Sequence, residues 1–198
     1  MRPRAGAFGA GAMLTASLCA GCATFVAYPG PRLPDAEVAT ITCFWRYYFV
    51  WIEECHISAV DGRRPKLSQL ANLTTKLPSG RHWVEFGIER YFGGGGGKTD
   101  VCAMEHDFEA GHAYHLNAHS FEADVSWMQK HGSDLYRGSI EIEDSGPEKG
   151  ARKSYRLETT CSFGGGSLCR TTADCVQHPD IVCQPREGYP FGRCVFGP

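Results

Sequence analysis

The 198-residue chain has no surplus of charge of either sign: 20 lysines and arginines stand against 22 aspartates and glutamates, a formal net charge of −2. Without a basic excess it cannot neutralise a phosphate backbone, so no nucleic acid is expected as a partner. Beyond the N-terminal segment it has no uncharged apolar run of the roughly 18 residues that a membrane-spanning helix needs. It lacks the Gly-x-Ser-x-Gly elbow and the His-Glu-x-x-His helix of common hydrolases. Strong amphipathic helices are scarce as well, the one candidate being Ser120 to His131, with Ser120 as N-cap and Gly132 as C-cap. Disorder is equally disfavoured, because 42% of the residues are hydrophobic. What the chain does have is cysteine, ten of them, and 24 glycines.

The N-terminus reads as an address. Arg2 and Arg4 form a short basic region and Ala5 to Leu18 follow without charge, the layout of a secretory signal. The stretch ends Leu18-Cys19-Ala20-Gly21-Cys22, which resembles the lipobox of bacterial lipoproteins. That resemblance implies cleavage before Cys22, leaving residues 1–21 as signal peptide, and acylation of Cys22 on its sulfur and new amino group. Ala23 follows the cysteine where an aspartate would retain a Gram-negative lipoprotein in the inner membrane, so the resemblance implies the outer membrane of a bacterial envelope. The rival reading is an ordinary cleaved signal, with Cys22 a plain thiol.

Residues 22–40 read as the lipidated start and a linker. Tyr28-Pro29-Gly30-Pro31-Arg32-Leu33-Pro34 suits an extended tether that lifts the rest off the bilayer. The runs Tyr28-x-Gly30-Pro31-x-Leu33-Pro34, Glu37-Val38-Ala39-x-Ile41 and Ile57 to Gly62 are similar to those of a group of bacterial lipoproteins of unassigned activity. That similarity implies a small β-sandwich behind the anchor.

From residue 41 to 160 the pattern is β. Val84, Phe86 and Ile88 alternate with Glu85, Gly87 and Glu89, as in a strand with one face in water. Val101 to Phe108 reads as its returning partner across the five-glycine loop Gly93 to Gly97. Ala113–Ala118, Ser139–Glu143 and Ser154–Thr159 read as further strands, and Asp61-Gly62, Pro78-Ser79-Gly80 and Asp144 to Pro147 as turns. Many short strands with little helix give a mainly β fold, a small sandwich or an open barrel.

Residues 161–198 form a cysteine-rich tail with few aliphatic residues, which needs cross-links to hold a fold. From Cys169 the spacing Cys-x5-Cys-x7-Cys-x10-Cys is similar to that of small extracellular cysteine-rich modules. With Cys22 lipidated and Cys19 in the signal, eight cysteines remain: Cys43, Cys55, Cys102, Cys161, Cys169, Cys175, Cys183 and Cys194. An even count in an exported chain reads as disulfides, and no two of them have the short spacing of a zinc knuckle. Three lie in the β region and five in the tail, so complete pairing requires a bridge between the regions. The expected solution pairs the last four among themselves, sends Cys161 back to the β region and joins the remaining two.

Three features invite a chemical reading. His112, His115 and His119, with His106 nearby, would share a face on a helix and could hold a metal, but in a strand His112 points away from the other two. Trp45, Tyr47, Phe49 and Trp51 would line one face of a strand running Phe44 to Ile52 and could stack on a sugar or peptide. The simpler account of that run is a central strand buried on both sides. Gly97-Lys98-Thr99 lacks the leading glycine of a phosphate loop, Phe92 standing in its place. No cofactor and no catalytic set is therefore expected. The leading expectation is a non-enzymatic envelope lipoprotein, held in the bilayer by its acyl chains and binding an envelope protein or glycan. A metal-binding protein or metal-dependent hydrolase using His112, His115 and His119 is one alternative; a protease-inhibitor-like or receptor-like tail module is another.

Overall fold

A computed structural model describes residues 24–43, 46–48, 51–65, 74–92, 98–124, 134–147, 152–164, 166–175 and 180–197. The chain is mainly β. In order it forms β1 (Phe25–Val26), β2 (Val38–Cys43), β3 (Arg46–Tyr48), β4 (Trp51–Val60), β5 (Thr74–Pro78), β6 (Gly80–Phe92) and β7 (Lys98–Phe108). There follow β8 (Ala113–Asp124), β9 (Leu135–Asp144), β10 (Lys153–Phe163), β11 (Leu168–Cys169), β12 (Ile181–Gln184) and β13 (Gly192–Phe196). Ten strands make one sheet in the order β1-β5-β2-β8-β9-β10-β7-β6-β4-β3, and the tail makes a second of order β11-β13-β12. The large sheet curls into a half-barrel, so that β4 packs against β2, β5 and β8, to which it is not hydrogen-bonded.

The inner face holds the main core. Ile41, Leu77, Phe86, Met104, Leu116, Ile140 and Ile142 are all at most 1% exposed. Their alternation along each strand is the sequence feature that specifies the curl's inside. The Cys43–Cys55 bridge ties β2 to β4 across this interior, and Cys102–Cys161 ties the paired strands β7 and β10. In the tail the bridges are Cys169–Cys183 and Cys175–Cys194.

The outer face is where the sequence reading needs correction. Alternation placed Glu85 in water, yet Glu85 is 0% exposed. The tail packs over that side of β6, β7 and β9, where Trp83, Val101, Ala103, Leu135, Leu168 and Phe191 form a second core. Both faces of the sheet's middle are therefore covered, and alternation could reveal only one of them.

Four other expectations change. The run from Phe44 to Ile52 is not a single central strand: Tyr48 pairs with Trp51 and Tyr47 with Ile52, so β3 and β4 form a hairpin, with β3 at the sheet's edge. Tyr47 and Trp51 thus belong to different strands, while Trp45 and Phe49 lie outside the described residues. The helix expected at Ser120 is also absent over its described part, since β8 continues to Asp124. The Ser120 hydroxyl serves a strand irregularity instead, donating to the Asn117 carbonyl at 2.8 Å and accepting from the Glu141 amide at 2.7 Å where the register with β9 shifts.

The expected linker is in part structural. Phe25 and Ala27 are 5% and 7% exposed, and β1 pairs in parallel with β5. The Pro-rich segment is then a loop from β1 to β2, closed by the Leu33 amide donating to the Tyr28 hydroxyl at 2.9 Å. Last, Cys161 lies inside β10, so the main sheet extends to Phe163 and the tail proper starts after it. The Asp61-Gly62 turn forms as expected, with both residues in the left-handed region at φ 48° and 75°.

Candidate functional site

The tail covers only part of the outer face, and its margin with the sheet is a groove of about 630 Å³. Small residues make the floor: Ala103 on β7, Thr160 on β10, Gly138 on β9 and Ala123 on β8. Gly138 is required there, because a Cβ would lie 2.7 Å from the Phe121 ring and 3.0 Å from the Glu122 carbonyl oxygen. Glu105, Glu122, Asp124 and Glu158 line the groove together with Arg81 and Arg137, so carboxylates outnumber guanidiniums. The tail supplies the wall, through Gly188, Pro190 and Phe191.

That wall is firmly seated. Phe191 packs on Trp83 with ring centres 5.4 Å apart, and the Arg170 guanidinium sits 4.9 Å from the Phe191 ring centre. Tyr189 donates its hydroxyl to the Leu135 carbonyl at 3.2 Å, and Arg137 donates to the Gly188 carbonyl at 2.9 Å. Glu105 joins sheet to tail by pairing with both Arg81, at 3.3 Å, and Arg170. Burial works to raise the Glu105 pKa, but hydrogen bonds and charge from Arg170 and then Arg81 outweigh it and hold the carboxyl below its usual value.

Behind the groove lies Glu85, which sequence reasoning passed over. One of its oxygens accepts from the Ser58 hydroxyl at 2.8 Å and pairs with Arg64 at 3.0 Å; the other accepts from the Leu168 amide at 2.7 Å. A buried carboxylate thus docks the first tail strand onto the sheet. A glutamate inside an otherwise apolar run, Trp83 to Ile88, was the available signal.

The histidines are placed apart in their bonding. His112 Nδ1 meets both Asp144 carboxylate oxygens at 3.0 and 3.1 Å, and its Nε2 faces Glu109 at 3.3 Å. His115 Nδ1 meets the Thr42 hydroxyl. His119 belongs to β8, but its side chain lies outside the description. His106 sits among Phe108, Tyr114 and Tyr155, with ring centres 5.1, 5.5 and 5.2 Å away. Burial pushes the pKa of His106 and of His115 down and that of Tyr114 up to about 12. The Asp144–His112 pair orients an imidazole as a general base would be oriented, yet its far nitrogen faces a carboxylate and not a hydroxyl or thiol.

Among the described residues, the metal-type ligands brought within 4.8 Å of one another are the sulfurs of Cys169, Cys175 and Cys194, each already in a disulfide. Cys22 lies outside the described residues. Compared with protein-family models, with curated proteins and with solved structures, the chain matches none.

Proposed function

We propose that the chain is an exported lipoprotein of the bacterial envelope, acylated at Cys22 and held in the outer membrane, with a non-enzymatic binding role carried by the groove between sheet and tail. The observation that carries this reading is the cysteine pairing. Four bridges use every cysteine after residue 22, which suits an oxidising compartment outside the cytoplasm. They leave Cys22, at the end of the lipobox-like segment, as the cysteine with another task. A triacylated terminus anchors stably, since each buried methylene adds about 0.8 kcal/mol.

A groove of about 630 Å³ falls in the usual range for a small ligand or a short stretch of polymer. Its carboxylates and hydroxyls suit amine- or hydroxyl-bearing envelope components. The seating of Phe191 and Leu168 against Trp83 and Val101 favours the tail as a wall of this site over a free-standing inhibitor-like module.

The test is the intact mass of protein taken from membranes, with and without reduction and alkylation. A gain matching acyl chains over residues 22–198, absent in Cys22→Ser, together with eight thiols that appear only on reduction, is the expected result. An unacylated chain with free thiols overturns the reading.

A further inference from the structure

Register sets the side chains of the outer face in rows across the strands. One row runs Asp124, Arg137, Thr160, Ala103 from β8 to β7. The next, two residues along, runs Glu122, Ser139, Glu158 on the same face. The ladder between β7 and β10 stops between these rows. It extends from Phe163 and Asp100 to Thr160 and Ala103 and no further, although β10 begins at Lys153 and β7 continues to Phe108. Thr160 is thus on the last rung. Glu158 and Glu105, each two residues past that rung, flank the gap from the two strands, and all three residues line the groove.

The guanidiniums around the gap are committed to other partners. Arg81 and Arg170 pair with Glu105. Arg156 pairs with Glu122 and donates to the Ser139 hydroxyl at 3.1 Å, and Arg137 donates to the Gly188 carbonyl at 2.9 Å. Glu158 is left over: among the described residues it forms no ion pair. A second observation comes from Thr160. Its neighbour Cys161 belongs to the inner core, so Thr160 points outward onto the groove floor. The residue is only 2% exposed, and among the described residues its hydroxyl has no hydrogen-bond partner. A polar group so nearly removed from water gains from a ligand that completes its bonding.

We infer that this gap is a primary-ammonium subsite of the groove, one that takes the terminal amine of an unbranched aliphatic arm. It rests on the binding role proposed for the groove and names the chemistry of the ligand. An alkylammonium carries three donors and no acceptor. The gap meets it with the Glu158 carboxylate on one strand, the Glu105 carboxylate on the other and the Thr160 hydroxyl at the closed end. Ala103 and Pro190, which also line the groove, offer apolar contact to the methylenes. From β8 to β7 the groove crosses three strand spacings, about 14 Å, so the ligand has room to continue beyond its ammonium.

The experiment is titration calorimetry at neutral pH on the full mature protein, purified from membranes in an uncharged detergent. The probes are cadaverine, Nα-acetyl-lysine amide and 1,5-pentanediol, the last matching cadaverine in shape without its charge. The amines are expected to bind about tenfold more tightly than the diol. Glu158→Gln, at an exposed position, is expected to weaken the amines about tenfold and leave the diol unchanged. Thr160→Val, which removes the hydroxyl and keeps the shape, is expected to weaken them about threefold. Glu122→Gln removes the same charge from a carboxylate already paired with Arg156 and is expected to change amine binding less than about twofold. Equal losses in Glu122→Gln and Glu158→Gln mean diffuse attraction by the groove's charge and overturn the subsite. A diol that binds as tightly as cadaverine also overturns it, yet keeps the groove as a binding site; heat from none of the three probes removes both. Where the subsite stands, the tighter amine tells its source: cadaverine a free diamine, the lysine derivative a side chain of an envelope peptide.

Discussion

Glu85 concentrates more consequence than any other single residue. Its carboxylate, 0% exposed, satisfies a hydroxyl, a guanidinium and a backbone amide from three separate stretches of chain. Removing one member of a buried charged set leaves the others desolvated and unpaired, which costs about 3–5 kcal/mol. Glu85→Ala should therefore lower the urea midpoint steeply. Glu85→Gln, which keeps an acceptor for Leu168 or Ser58, should lose clearly less. Equal losses would mean that packing volume and not the hydrogen-bonded charge carries the effect.

His106 sets a pH dependence whose sign is fixed by its surroundings. Burial holds its pKa below the usual 6.5, against a smaller upward pull from Asp107, Asp144 and Glu109. His82 stands directly opposite it on β6, and Tyr114 and Tyr155 pack on it from β8 and β10. The unfolded chain thus takes up the proton at higher pH than the folded one. Stability is full above about 6.5 and falls as pH drops below it. The melting temperature should decline from pH 7.5 to 5.5, and less so in His106→Phe, which keeps the ring in its aromatic nest. A residual slope is expected from His115, whose pKa is lowered by burial in the same direction.

At the scale of elements, the groove depends on how closely β8, β9 and β10 approach at Gly138. A Cβ there would meet the Phe121 ring, the Thr159 hydroxyl at 2.8 Å and a backbone oxygen, and overpacking of this kind costs about 1–3 kcal/mol. Gly138→Ala should destabilise the protein by that amount in denaturant unfolding. A neutral result would show that Phe121 yields freely.

The same elements show what the sequence made legible. The β6-β7 hairpin was readable because Val84, Phe86 and Ile88 face Met104 and Cys102 on one side, which is what period-2 alternation encodes. The cover on the other side was not, because it comes from Leu168 and Phe191, which follow the hairpin's last residue, Phe108, only after a long intervening stretch of chain. The turn between β3 and β4 escaped because Tyr48 to Trp51 contain no glycine, asparagine or proline to mark it. Ser120 looked like a helix cap because the hydroxyl that satisfies a helix end can equally satisfy a shifted strand register. The groove left still less trace: its floor residues are small, scattered over four strands, and become a site only where the tail ends against them.

For the molecule as a whole, the question is whether tail and half-barrel open together. They share the Trp83–Phe191 core and the Glu85 network, which argues for one cooperative transition while all bridges are intact. The bridges themselves differ in access. Cys183 and Cys194 are only partly buried, whereas Cys43, Cys55, Cys102 and Cys161 are at most 1% exposed. A thiol reductant must reach sulfur, so the tail pairs are open to attack in the native fold and the sheet pairs wait for a larger opening. With limiting dithiothreitol and alkylation, peptides bearing Cys169, Cys175, Cys183 and Cys194 should be labelled first. Near-UV dichroism from Trp83 should change with them as Phe191 loses its restraint, while far-UV dichroism holds. Each tail bridge is worth about 2–5 kcal/mol, so losing both should unseat the groove wall and leave the half-barrel, with its inner core and two buried bridges, standing. Labelling of Cys102 and Cys161 in step with the tail would instead mean that sheet and tail form one unit even against reduction, and that the Glu85 and Phe191 contacts, not the tail's own cross-links, hold the groove together.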